Sequence, residues 1–116
     1  MSDYKKAEQK LTDYLTGELD AQIEARRKEL TQASGVEDPE SFNDRKHALL
    51  KSDKSTVEAF LKQLKHAHEL THDILKLFYK ENHLWKKVSR DVMLSPSACK
   101  ARRKKAIEEL EEWLYV

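Results

Sequence analysis

The sequence predicts an all-α fold: an elongated antiparallel bundle, or coiled-coil-like hairpin, of three to four helices in one domain over residues 1–116. Three observations carry this expectation. Ala, Glu, Lys, Leu and Arg together supply 60 of the 116 residues, the composition of long helices and coiled coils. Two glycines and two prolines leave few turns. β-Branched residues are scarce, which disfavours a sheet.

The first helix is expected over residues 3–32. Tyr4, Leu11, Tyr14, Leu15, Leu19, Ile23 and Leu30 recur mostly at spacings of three, four and seven and form one apolar stripe. Gly17 weakens its middle. The stretch ASGVEDPES then breaks the pattern. Gly35 suits a C-terminal cap, and Asp38-Pro39 reads as N-cap and first position of a short helix over residues 39–51. That helix is thin in apolar content, with Phe42, Ala48, Leu49 and Leu50. Ser55 and Glu58 form a capping-box pattern that marks a new start; without it, the second and third helices fuse.

The third helix, over about residues 55–94, carries the strongest pattern. Val57, Leu64, Thr71, Phe78, Trp85 and Val92 share one heptad position, and Phe60, Ala67, Ile74, Glu81 and Val88 share the position three later. Leu70, Leu77 and Leu84 fill a flank, so the stripe is wider than a two-stranded seam and suits a bundle. Such a helix is roughly 60 Å long, too long for a round monomer whose radius of gyration is near ~13 Å. It must bend, form an elongated hairpin or be covered by another chain. Ser95 and Pro96 then start a fourth helix over residues 96–115, with Cys99, Ala106, Ile107, Leu110, Trp113 and Leu114 on one face.

The totals narrow the function classes. A net charge of +1 gives no global field for nucleic acid or an anionic membrane. The single cysteine, Cys99, excludes a disulfide framework and reads as a buried small hydrophobe. No stretch reaches the ~20 apolar residues of a membrane span, and MSDYKKAEQK lacks the apolar core of a signal peptide. An intracellular location, cytoplasmic or nuclear, is expected.

Residues 68–72 spell HELTH, which fits the H-E-x-x-H pattern. Locally this resembles the active-site helix of thermolysin-like metallopeptidases. The resemblance implies His68 and His72 as zinc ligands and Glu69 as the base acting on zinc-bound water. It covers five to six residues. A third ligand has no matching motif: Glu108, Glu109, Glu111 and Glu112 are candidates only by type, and Glu81 lies on the same helix. No strand is expected to bind substrate. At 100° per residue, Glu69 and His72 lie opposite the apolar cluster of Ile74, Leu77, Phe78 and Trp85, with His68 at its border. No catalytic, metal or cofactor site is therefore expected.

Lys100, Arg102, Arg103, Lys104 and Lys105 form the densest basic run and a candidate anion-binding site. Its cations precede Glu108–Glu112, an order that opposes the helix dipole. An antiparallel neighbour of opposite pattern, such as EARRKEL at residues 24–30, would balance it. Ser95 is a candidate phosphorylation site, although its capping role suffices. The aromatic set Phe78, Tyr79, Trp85, Trp113 and Tyr115 suits core or interface.

These features predict a non-enzymatic adaptor or subunit that binds a protein partner, or a second copy, through long amphipathic helices. The expected contact residues are Leu70, Leu77, Phe78, Leu84, Trp85, Val88, Trp113 and Leu114. A nucleic-acid-associated protein using residues 100–105 is the first alternative, and a zinc hydrolase the second.

Overall fold

In the computed structural model, which describes residues 2–34 and 44–115, the first predicted helix is two helices. The first, α1 (Ser2–Thr16), and the second, α2 (Glu18–Ser34), meet at Gly17. Its φ of +86° lies in the left-handed region, which glycine enters without the Cβ penalty of other residues. The junction keeps its hydrogen bonds: the Gly17 N–H donates to the Tyr14 carbonyl, and the Ala21 N–H to that of Gly17. A side chain here would meet nothing within 4 Å, so the backbone angle alone selects glycine.

The next boundary also moves. Asp38, Pro39 and Phe42 lie outside the described residues. The helix that follows, α3 (Arg45–Ala67), is capped by Asp44, whose Oδ2 accepts from the His47 N–H at 2.8 Å. Ser55 and Glu58 fall inside α3, so the expected helices over residues 39–51 and 55–94 are continuous across residues 52–55. Leu50, Val57, Phe60, Leu61 and Leu64 are all buried along α3. Burial of that continuous stripe outweighs a local capping signal.

Arg26 ties α2 to the same cap. Its Nε and Nη2 donate to the two Asp44 oxygens at 3.0 and 2.7 Å, and its Nη1 donates to Glu29 at 2.8 Å. The Arg26 guanidinium and the His47 N–H hold the Asp44 carboxyl down to about 2, against ~3.9 in an unfolded chain. A depressed folded value stabilises above the unfolded pKa and is lost as pH falls from about 4 towards about 2. Thermal melts across pH 6 to 2 are expected to show Tm falling in that window, with Asp44→Asn flattening the fall. An unaltered profile in the variant would assign the titration to other carboxylates.

The expected single helix over residues 55–94 is replaced by a bent series. After α3 comes His68 (φ −142°, ψ 68°), then α4 (Glu69–Leu75) and one π-helical stretch, Lys76–Lys80. Asn82 has φ +56° and Leu84 is extended. Helix α5 (Trp85–Val92) follows and ends on Met93 at φ +61°. No glycine or proline occurs in this stretch, so no local breaker announces the bends. Packing supplies the reason. Ile74 and Leu75 are adjacent and both fully buried, yet they belong to different cores. A straight helix would not place its wide stripe against both.

The main core joins Ala7 and Leu11 of α1, Val57, Phe60, Leu61 and Leu64 of α3, and Leu75 of α4 with Ala106, Ile107 and Leu110 of the last helix, α6 (Pro96–Tyr115). The second core is small. Ile74, Val88 and Cys99 are fully buried, and Leu77, Phe78, Trp85, Val92 and Leu94 are only partly covered around them. Helix α6 has the predicted extent, and the Ser95 Oγ accepts from the Ala98 N–H at 3.1 Å. The bundle measures 54 × 27 × 27 Å with a radius of gyration of 16.5 Å, above the ~13 Å of a round domain of this size. It is an elongated all-α bundle, with no strand among the described residues. No helix among them is long and apolar enough to cross a membrane.

Candidate functional site

The basic run does not form one surface. Consecutive residues on a helix point 100° apart, so cations at 100 and at 102–105 encircle it. Arg103 points inward. Its Nη1 lies 3.2 Å from Glu8 Oε2 of α1 and 3.5 Å from the Tyr79 hydroxyl, which itself donates to the same Glu8 oxygen at 2.5 Å. The Arg103 guanidinium also covers Trp85 and Phe78, 5.3 and 5.8 Å from their ring centroids. These two rings stack at 4.0 Å. Burial and the hydrogen bond to Glu8 push the Tyr79 hydroxyl well above its ordinary pKa, so it stays a donor. Burial lowers the Arg103 pKa, but Tyr79, Tyr4 and Glu8 more than offset this and raise it.

The other cations of the run diverge. The Arg102 Nη1 donates to Thr71 Oγ1 at 3.3 Å. Lys105 and Arg102 line a groove of about 440 Å³ with His68 and Glu109, while Lys100 and Lys104 border a shallow depression beside Tyr4. The opposite pattern expected from residues 24–30 is used elsewhere: Arg26 pairs with Asp44, and Arg27 with Glu24. The partner that answers Arg103 is Glu8 of α1, a helix whose three acids, Asp3, Glu8 and Asp13, stand five residues apart.

The expected contact residues also separate. Val88 is fully buried within its own chain and offers no surface. Phe78 and Trp85 belong to the Arg103 cluster. Leu70 and Leu77 are half-buried, and Leu114 packs on the main core. Trp113 meets Phe60 edge-on at 5.5 Å and keeps 41% of its surface exposed. Leu84 is 80% exposed. Sequence reasoning missed Met93, at 89% exposure, because it placed this residue inside a helix. The left-handed cap that ends α5 moves it outward. There the Leu94 N–H bonds the Ser89 carbonyl, and the Ser89 hydroxyl donates to the Leu94 carbonyl.

The residues of HELTH do not fit a zinc site. His68 sits on the break between α3 and α4, and His68 and Glu69 are exposed. The His72 Nδ1 is 3.2 Å from Asp73 Oδ1. Among the described residues no three His, Cys, Asp or Glu side chains converge to hold a metal ion.

A different concavity was not legible from any motif. A groove of about 1000 Å³ runs between the end of α1 and the line from α3 through α4 to Lys80. Tyr14, Leu15 and Leu61 line it, as do Lys62, Lys65, Lys76 and Lys80. His66, Glu69 and His72 also border it. The near-zero net charge conceals why this wall is basic. Residues 45–107 carry sixteen Lys and Arg against six Asp and Glu, whereas residues 1–44 carry six against eleven, and residues 108–116 none against four.

Compared with protein-family models, curated proteins and solved structures, the chain matches none of them.

Proposed function

We propose that this chain is a non-enzymatic helical interaction module, an adaptor or subunit that docks on a protein partner through the α5 face. The observation that supports this most is the exposure of Leu84 and Met93, the two residues that bracket α5. A single exposed leucine means little. Here two large apolar side chains flank one eight-residue helix, over a second core of only three buried residues. Met93 also occupies a left-handed backbone position that favours glycine, so the fold itself gives no reason for methionine there. Burying each side chain on a partner is worth about 1.5–3 kcal/mol. Lys86, Lys87 and Arg90 on the outer side of α5 are exposed and favour a partner with acidic residues at its rim.

The test is association of the full chain. Leu84→Asp with Met93→Asn is expected to leave folding intact, because both side chains are exposed and asparagine tolerates the left-handed region. Sedimentation at micromolar concentration and co-purification from the native cell are expected to show wild-type association weakened at least about tenfold by the pair, or about 1.4 kcal/mol. A wild-type monomer whose co-purifying proteins are the same as those of the variant would refute the proposal.

A further inference from the structure

We infer that the lysine-lined groove is a second docking site, separate from the α5 face, and that it receives an acidic amphipathic helix of a partner protein. Its chemistry is two-sided. Tyr14 and Leu15 are half-buried and Leu61 is buried, so the core side of the groove is apolar. Lys62, Lys65, Lys76 and Lys80 are exposed around it. Among the described residues none of these four lies within ion-pair distance of a carboxylate, while Lys10 and Lys54 nearby are paired with Asp53 and Asp20 at 3.0 and 2.7 Å. The two acids of the lining are Glu58 and Glu69, and burial together with the nearby Glu58 carboxylate raises the Tyr14 hydroxyl pKa. Lys62 and Lys80 are separated by no more than about 27 Å, the length of eighteen helical residues.

A helix laid in such a groove puts its apolar stripe on the floor and its carboxylates against the lysines. A nucleic-acid strand would leave the apolar floor unused. Strand binding draws on aromatic stacking platforms as well as charge, and among the described residues of this lining Tyr14 is the one Phe, Tyr or Trp, half-buried. The spacing of the four lysines, 3, 11 and 4 residues, holds them within about 60° of one another at 100° per residue, and across the bend at His68 and the π-helical stretch all four still border one groove.

The probe is a stapled, end-capped peptide with the sequence AIEELEEWLY, which is acidic and amphipathic. Its control has the same composition, scrambled to remove the three-and-four spacing, and a third arm is a twelve-residue oligo-dT. Fluorescence anisotropy with the full chain is expected to show saturable peptide binding below about 100 μM. The scrambled peptide and the variant Lys62→Glu with Lys76→Glu should each bind at least about tenfold more weakly. Leu84→Asp with Met93→Asn should bind the peptide as wild type does, which separates this site from the α5 face. Circular dichroism melts of the lysine variant should match wild type, since both side chains are exposed. Equal binding of the scrambled peptide, tighter binding of oligo-dT, or no peptide binding at that concentration would each overturn the inference.

Discussion

Ile107→Ala is expected to lower the stability of the whole domain by about 3 kcal/mol, because it removes a fully buried side chain from a core where four helices meet. Ile107 shares the main core with Leu11 of α1, Leu61 and Leu64 of α3 and Leu75 of α4. A void there is lined by rigid helices and closes only partly. A domain of this size has a net stability of about 6–17 kcal/mol, so the loss is a large share, and Tm should fall by roughly 12 °C. The informative comparison is Val88→Ala in the second core. That core has three buried residues and an incomplete cover of half-buried ones. Its truncation should loosen α5 and its flanks without an equal loss of global stability. Hydrogen exchange would separate the two cases: Ile107→Ala should accelerate amides in α1, α3 and α6 together, whereas Val88→Ala should accelerate those around α5 first. Uniform acceleration in both variants would show that the two cores open as one unit.

Arg103→Ala is expected to cost about 2–3 kcal/mol, the range for breaking a partly buried charge pair. The loss has two sources. Glu8 keeps the Tyr79 hydroxyl but loses its cationic partner, and the stacked Phe78 and Trp85 lose the guanidinium that covers them. Both side chains of the ion pair retain about a quarter of their surface, 24% and 29%, so the loss is smaller than for a fully buried pair. Arg103→Lys should recover part of the loss, since a lysine restores the charge but not the planar cover of the rings. Chemical denaturation checks both. If Arg103→Ala melts like wild type, the cluster adds nothing net to stability. One consequence bears on function: any loss of anion binding in an Arg103 variant must first be separated from loss of fold.

The composition, the shortage of turn residues and the apolar spacing were enough to specify an all-α elongated bundle, because helix periodicity is a local property that each segment states for itself. The fourth helix was legible to within a residue, since Ser95 and Pro96 are local stop and start signals. Gly17 was visible as a weak point, but its left-handed turn depends on where α2 must pack. Only tertiary structure decided the rest. The bends at His68 and Lys76–Lys80 have no breaker residue and arise because Ile74 and Leu75 serve different cores. The apparent capping box at Ser55 was overridden by a stripe that runs through it. The densest basic run was scattered around its helix and one of its arginines turned inward, while Lys62, Lys65, Lys76 and Lys80, which share a face by their spacing, border a groove because the end of α1, with Tyr14 and Leu15, packs beside them. Sequence spacing states which side chains share a helix face, but the surface that faces a partner is set by what the other helices leave uncovered.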